Sequence, residues 1–174
     1  MHKNTKIIFG NFNSIHLKKW LNSFNENHYY KISYEPTEKK IKNCYSLKRN
    51  KNFLILCSLY NFFYLLLKLN KLRPKVIIIH YINEITFIVF LLSFFFRFKI
   101  LIFPWGSDLN IKTNFITKFF KKLALQKSNL VITDGYHIKD KLVNLFKINP
   151  NNIKIYNFPI SFDSIQNFKN RNKK

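Results

Sequence analysis

The chain has 174 residues, enough to bury the core of one domain. Hydrophobic residues make up 47% of it, which excludes an intrinsically disordered protein. Lysine and arginine number 30 against 8 aspartates and glutamates, a net charge of +22. Abundant lysine, asparagine and isoleucine are typical of AT-rich genomes, but that bias does not explain why glutamate is scarce. We therefore expect an anionic partner, which can be a membrane surface, a phosphorylated substrate or a nucleic acid.

Several common classes lack their sequence signatures. The chain has no glycine-rich dinucleotide fingerprint and no Walker loop, and no helix-turn-helix, RNP or zinc-finger pattern. No apolar segment follows the first residues, so we expect no signal peptide. The apolar runs 53–67 and 85–96 are shorter than the roughly 20 residues that span a bilayer. Cys44 and Cys57 have no metal-ligand spacing, and we expect reduced thiols.

The first half of the chain predicts three strands and two helices. Gly10 and Asn11 end the first strand, and Ser14 is placed to cap the helix that follows. Arg73 and Pro74 end the second helix. In chain order the elements are a strand Lys6–Asn11, a helix Ile15–Phe24, a strand Tyr29–Tyr34, a basic loop Glu35–Lys51 with a short strand around Asn43–Leu47, and a helix Asn52–Leu72.

The second half alternates strands and helices more regularly. In the helix 114–127 the spacing predicts that Phe115, Phe119 and Leu123 face the core while Lys118, Lys121 and Lys122 face solvent. The elements are a strand Pro74–His80, a helix Ile85–Phe96, a strand Lys99–Phe103, a helix Asn114–Lys127, a strand Leu130–Thr133, a helix Tyr136–Phe146, a strand Ile153–Tyr156, an irregular segment Asn157–Phe168 and a basic tail Lys169–Lys174.

This alternation predicts right-handed βαβ units. The fold class is therefore α/β: a doubly wound, Rossmann-like parallel sheet of about six or seven strands with helices on both faces. One domain covers residues 1–168, and the tail covers 169–174. The chain has no internal repeat.

Candidate site residues, most of them polar, lie at or after the ends of four predicted strands. Ligands of open parallel sheets bind beyond the carboxyl ends of the strands, so these residues mark the expected site. They are Gly10 and Asn11 after the first strand, His80 and Glu84 after the strand 74–80, Trp105, Gly106, Ser107 and Asp108 after the strand 99–103, and Asp134 after the strand 130–133.

The order of several motifs resembles a known family. Over roughly residues 5–168, their order and spacing resemble the N-terminal domain of family 4 glycosyltransferases, which have the GT-B fold. The motifs are the helix segment Ser14-Ile-His16-Leu-Lys-Lys-Trp20, the strand end His80-Tyr81, the loop Trp105-Gly-Ser-Asp108, the segment Ser128–Thr133 and the strand Asn152–Ile155.

The resemblance implies an enzyme that transfers a sugar from a nucleotide-activated donor, without a metal, to a cell-surface glycan or a lipid-linked acceptor. In that family the N-terminal domain holds the acceptor and the C-terminal domain binds the donor. The expectation is that this chain lacks the donor domain, has no cofactor of its own, is inactive alone and pairs with a separate donor-domain chain. The implied location is the cytoplasm, peripheral at the inner membrane face.

The positions at strand ends and the resemblance together assign roles to residues of this sequence. They point to Asp108 and His80 as catalytic residues, and to an acceptor site formed by Gly10, Asn11, His16, Glu84, Trp105, Gly106, Ser107 and Asp134. Relatives carry a histidine near the position of Trp105 that contacts the transferred sugar, so that role is absent here or has moved to Asp108. No metal site is expected.

Each role has a structural alternative. Asp108 can act as a base on an acceptor hydroxyl or cap a loop or helix, and His80 can be a catalyst or a structural histidine of the core. Glu84 can pair with His80 or with a helix N-terminus. Gly10 allows close approach of a ligand or forms a plain turn, whereas Trp20 is expected in the core beside His16.

Two other functions compete with sugar transfer. The first is a non-enzymatic protein of this fold that binds an anionic membrane surface through the basic patches Lys18/Lys19, 39–51 and Lys118/Lys121/Lys122. The high aromatic content suits a bilayer interface, although core packing explains most phenylalanines equally well. The second is nucleic-acid binding from charge alone, which no motif favours.

Overall fold

The computed structural model describes residues 5–22, 29–37, 41–48, 54–110 and 115–156. The predictions for residues 23–24, 52–53, 114 and 157–174, and residues 39–40 and 49–51 of the basic patch, lie outside these ranges. The strands are β1 (Lys6–Gly10), β2 (Tyr29–Ser33), β3 (Cys44–Ser46), β4 (Val76–His80), β5 (Lys99–Phe103), β6 (Leu130–Thr133) and β7 (Ile153–Ile155), and the helices are α1 (Ile15–Asn22), α2 (Leu54–Leu72), α3 (Glu84–Leu92), α4 (Ser107–Asn110), α5 (Phe115–Lys127) and α6 (Tyr136–Phe146).

The seven strands form one sheet in the order β3-β2-β1-β4-β5-β6-β7. Every pair of neighbours is parallel, so the predicted α/β class and strand number are confirmed. The chain builds the sheet outward from β1 to β3 and then returns to add β4 on the other side of β1. This reversal places a topological switch point between β1 and β4, where open α/β sheets bind their ligands.

Alternate residues of each strand face opposite sides of the sheet, and two cores result. Ile7 and Phe9 of β1 belong to a large core that α2, α3, α5 and α6 cover. Ile8 belongs to a smaller core on the opposite face, where α1 contributes Leu17 and Trp20. Helices therefore lie on both faces of the sheet, as predicted.

The predicted orientation of α5 is wrong for Phe115, Phe119 and Lys121, whereas Lys118 is exposed as predicted. Lys121 is only 8% exposed, whereas Phe115 is 83% exposed and Phe119 is also exposed. Ala124 and Leu125 are buried in their place. A specific partner makes the burial of Lys121 possible: its Nζ donates a hydrogen bond to the backbone carbonyl of Asp108 at 2.6 Å. Because its ammonium is bonded, Lys121 can lie on the inner face of α5, which phenylalanine spacing alone would not select.

Two further observations concern helices. The short helix α4 was not predicted, and it begins at Ser107, four residues after β5 ends. Within the described ranges, no helix combines the length and the apolar content that crossing a bilayer requires.

Candidate functional site

A cavity of about 1170 Å³ opens along the carboxyl edge of the sheet and continues between α2, α3 and α5. It brings together most of the residues that the sequence predicts for a site. The predicted residues that line it are Asn11, His16, His80, Glu84, Trp105, Ser107 and Asp134. Because they come from β1, β4, β5, β6 and the segments after them, the parallel sheet itself collects these side chains.

Gly10 and Gly106 do not line the cavity. A Cβ atom on Gly10 would lie 2.5 Å from the Leu17 Cδ2 atom, so this glycine gives α1 room to pack on the sheet. Gly106 has a φ of +78°, in the left-handed region that favours glycine, and a Cβ there would lie 3.1 Å from Ile138. Both glycines therefore shape the site through packing and backbone geometry.

Asp108 lies beneath the cavity and is 0% exposed. Its Oδ2 accepts a hydrogen bond from the Ile82 backbone N–H at 2.8 Å, and its Oδ1 accepts one from the Trp105 N–H at 3.1 Å. Burial raises the pKa of this carboxyl, while the two backbone hydrogen bonds and the Lys121 ammonium oppose that rise. With these contacts Asp108 caps the loop that contains Trp105, which is its structural alternative. Its role as a base for an acceptor hydroxyl stays a prediction.

The turn that Asp108 holds has an unusual backbone. Tyr81, directly after β4, has a φ of +76°, a conformation that is uncommon outside glycine. Its N–H donates to the Phe103 carbonyl at 3.1 Å, and its own carbonyl accepts a bond from the Tyr34 hydroxyl at 3.3 Å. Together with the Asp108 bond to Ile82, these contacts fix the turn between His80 and α3.

His80 lies inside an aromatic cluster. Its ring centroid is 4.3 Å from that of Trp20 and 4.6 Å from that of Phe103. It is 2% exposed, and neither ring nitrogen has a hydrogen-bond partner within the described part of the chain. Burial lowers the pKa of His80 to about 3, so its imidazole is neutral near pH 7. This is the surrounding of a core histidine, and its catalytic role stays a prediction.

Glu84 does not pair with His80, whose ring nitrogens have no hydrogen-bond partner among the described residues. It is the first residue of α3, where a carboxylate interacts favourably with the helix dipole. Asn83 caps this helix: its side chain accepts bonds from the N–H groups of Ile85 and Thr86, while the Thr86 hydroxyl accepts from the Asn83 N–H. The helix-terminus alternative for Glu84 is therefore the observed one.

The rim above these buried groups carries an aromatic pair and a polar network. The rings of His16 and Trp105 lie 5.1 Å apart. The Asn11 side-chain amide donates to Glu35 Oε2 at 3.1 Å, and its oxygen accepts from the Asn13 N–H at 2.9 Å. Both features present hydrogen-bonding groups and flat ring faces at the cavity mouth.

Sequence reasoning missed several residues of the cavity. Tyr34, Glu35, Thr86 and Lys121 line its polar part, and helix residues on α2, α3 and α5 line its apolar part. The clearest signal for the apolar part is α3, whose sequence after Glu84 is apolar except for Thr86. A helix that is apolar on all sides must be covered on all sides. Within the described ranges, no three His, Cys, Asp or Glu side chains cluster as metal ligands do.

No protein-family model matches the sequence, and no curated protein matches it. Solved structures do resemble the fold. One is the lipopolysaccharide outer core galactosyltransferase WaaB, with a TM-score of 0.68 and 14% sequence identity, covering 90% of this chain and 46% of that one. A second is UDP-GlcNAc 2-epimerase of Methanocaldococcus jannaschii in complex with UDP-GlcNAc and UDP, with a TM-score of 0.68 and 15% identity, covering 98% of this chain and 51% of that one. A third is a glycosyltransferase of Rickettsia africae, with a TM-score of 0.63 and 12% identity, covering 99% of this chain and 50% of that one.

The fold is therefore GT-B-like. The chain spans about half the length of these solved structures. At 12–15% identity the likeness extends to the fold alone, and it includes both sugar transferases and epimerases.

The contacts of Asp108 predict the effect of replacing it. Asp108→Asn puts an amide NH₂ opposite one of two backbone N–H donors, so one buried hydrogen bond is lost. We expect the free energy of unfolding to fall by about 1–3 kcal/mol, measured by urea denaturation. Asp140→Asn, at an exposed position on α6, is the control and should stay within about 0.5 kcal/mol of the parent. An unchanged urea midpoint for Asp108→Asn would contradict the cap assignment.

The low pKa of His80 predicts a pH-dependent stability. Between about pH 6.5 and pH 3 the unfolded chain binds a proton at this histidine that the folded chain does not, so acid weakens the fold by up to about 1.4 kcal/mol per pH unit. His80→Phe removes this contribution and the two unsatisfied nitrogens. We expect it to match or exceed the parent at neutral pH and to gain on it as the pH falls.

The measurement is urea denaturation at a series of pH values, with exposed His137→Phe as control. Parallel stability curves for the parent and His80→Phe across this range would show that His80 is not held neutral by burial.

Proposed function

We propose that this chain binds the acceptor of a glycosyltransferase and acts with a donor-binding domain that carries the nucleotide sugar. The observation that supports this most is that side chains from four strand ends meet in one cavity at the switch point of a GT-B-like sheet. The donor-binding domain belongs to the proposal, either as further sequence of the same protein or as a separate chain. No cofactor or metal of the chain's own is part of it.

The distribution of acidic residues supports a ligand rich in hydroxyl groups. The chain has only 8 acidic residues, and its net charge is +22. Three of them, Glu35, Glu84 and Asp134, line the cavity, and Asp108 lies beneath it. Carboxylates are strong acceptors for hydroxyl donors. A sugar offers several such hydroxyls, whereas a phosphate would meet repulsion there.

The aromatic pair supports the same ligand class. Trp105 and His16 both line the cavity, and their rings are 5.1 Å apart. Flat rings give a binding site apolar contact area together with a polar edge. The C–H face of a sugar ring can pack against them while its hydroxyls reach the carboxylates.

The general base of the transfer reaction must reach an acceptor hydroxyl. Asp108 is buried and both of its carboxylate oxygens accept hydrogen bonds. We therefore propose that Glu84 or Asp134, which both line the cavity, acts as the general base. Asp108 then acts as a positioning residue that holds the Trp105 loop and the turn before Glu84.

The test is a pair of assays on the purified chain. With UDP-glucose, UDP-galactose or UDP-GlcNAc and an alkyl glucoside acceptor, we expect no transfer by the chain alone. Titration with methyl glucosides and methyl galactosides, followed by tryptophan fluorescence, should show binding. His16→Ala should weaken that binding by about twofold to tenfold, because one aromatic contact is lost.

His137→Ala is the matched control, because His137 is exposed and does not line the cavity. Equal binding by both variants would contradict the acceptor site, and rapid turnover by the chain alone would contradict the need for a donor domain.

We also propose that the chain associates with an anionic membrane at the inner face. Apolar side chains of α2 and α5 are exposed, among them Ile55, Leu56, Phe63, Phe115 and Ile116. Exposed apolar groups on a strongly basic protein favour an interface with anionic lipid. A protein of this fold that only binds membranes is the second candidate, supported by the same exposed residues. Lys121 is buried and contributes little to the basic patch proposed for α5, whereas Lys118 remains exposed.

Vesicle flotation tests this association. Vesicles that contain phosphatidylglycerol should retain about tenfold more protein than vesicles of phosphatidylcholine alone, since each basic residue near the surface contributes about 1 kcal/mol. The difference should shrink at high salt, which screens charges. Equal retention by both kinds of vesicle would count against an anionic membrane partner.

A further inference from the structure

The cavity as a whole is larger than a sugar needs. Ligand pockets for drug-sized molecules enclose about 300–1,000 Å³, and this cavity encloses about 1170 Å³. Its polar part lies at the sheet edge, and the remainder runs between three helices. What occupies that remainder is a separate question from sugar binding.

Apolar side chains of three helices line the rest of the cavity. The floor is α3, which has 9 residues and lies between the longer helices α2 and α5. We call this part the apolar trough, formed by Phe87 and Leu91 of α3, Ile55, Leu59 and Phe62 of α2, and Phe120 of α5. On α2 and α3 the trough residues recur three or four positions apart, which keeps them on one face of each helix.

The trough is open on its α2 side and closed on its α5 side. Leu59 is 52% exposed although it lines the cavity. The rings of Phe87 and Phe120 stack at 4.0 Å and close the trough on the α5 side. An apolar, elongated and accessible channel of this kind fits a linear hydrocarbon chain.

The trough is continuous with the polar rim. The helices of βαβ units run opposite to the strands, so the first turns of α2, α3 and α5 lie at the carboxyl edge of the sheet. Thr86 and Lys121 stand where the two parts meet, beside the buried hydroxyl of Tyr34. A ligand that fills both parts must therefore be polar at one end and apolar at the other.

Charge selects the polar end of that ligand. Glu35, Glu84 and Asp134 line the cavity, whereas Lys121 is the only lysine among the described residues that does so. The Lys121 ammonium is already bonded to the Asp108 carbonyl. An uncharged head group is compatible with three carboxylates, and a phosphorylated head group is not.

We propose that the apolar trough holds the hydrocarbon chain of a neutral glycolipid acceptor, whose sugar lies against the carboxylates and rings of the rim. This inference rests on the proposed function and adds the chemical class of its acceptor. The hydrocarbon chain supplies binding energy in the trough, and the sugar head supplies orientation at the rim.

The experiment is calorimetric titration with butyl, hexyl and octyl glucosides below their micellar concentrations. We expect the dissociation constant to fall by up to about fourfold for each added methylene, as burial of apolar area predicts. Octyl phosphate should bind more weakly than octyl glucoside because of the carboxylates. Leu59→Asp should remove the dependence on chain length and weaken octyl glucoside binding by about tenfold or more.

Leu67→Asp is the matched control, since Leu67 is a leucine on the same helix, is 70% exposed and does not line the cavity. It should bind octyl glucoside as the parent does. Circular dichroism of both variants checks that each remains folded.

The outcomes separate this inference from the proposed function. Dissociation constants that do not depend on chain length would overturn the trough assignment while leaving sugar binding at the rim intact. Octyl phosphate binding as tightly as octyl glucoside would overturn the neutral head group. A dimer that Leu59→Asp dissociates would overturn the inference by assigning the trough to a second copy. If no sugar is transferred when donor-binding domains are added to the chain, that result would count against the proposed function alone.

Discussion

The rim of the sheet depends on one buried carboxylate. Asp108 accepts hydrogen bonds from the N–H groups of Ile82 and Trp105, so a single side chain ties the turn after β4 to the turn after β5. The first of these turns contains Tyr81 in a left-handed conformation, which costs free energy and persists only where its surroundings hold it. Glu84 and Trp105 line the cavity from these two turns, so the buried Asp108 fixes the position of this part of the cavity wall.

The sheet itself was predictable because its strands are short, β-branched and bounded by polar residues. Parallel pairing then places His80, Trp105 and Asp134 at one edge without any long-range information beyond the class of fold. This is why most predicted site residues do line one cavity. The same reasoning could not rank their roles, because whether a polar side chain faces the cavity or lies beneath it is decided by local turns such as the one at Gly106.

The rotation of α5 shows where sequence periodicity fails. Phe115 and Phe119 form an apolar stripe, and so do Ala124 and Leu125 on a different face. Spacing alone treats both stripes as candidates for the core. The buried face also carries Lys121, which can lie there because its ammonium donates to the Asp108 carbonyl, and no pattern within the helix contains that information. Phe115, which is exposed as a result, is one of the residues that we assign to membrane contact.

Net charge and site charge point to different partners, and each acts over its own range. A charge of +22 produces a field that acts between the protein and an anionic surface, so it governs association. At the cavity, contact distances are a few ångströms, and Glu35, Glu84 and Asp134 decide what can bind there. A neutral sugar on a hydrocarbon chain is compatible with both, since an anionic membrane can attract the protein while the acceptor itself carries no charge. A sugar phosphate would be attracted to the protein as a whole but repelled by the carboxylates of the cavity. Comparing octyl glucoside with octyl phosphate therefore tests the cavity rather than the protein surface.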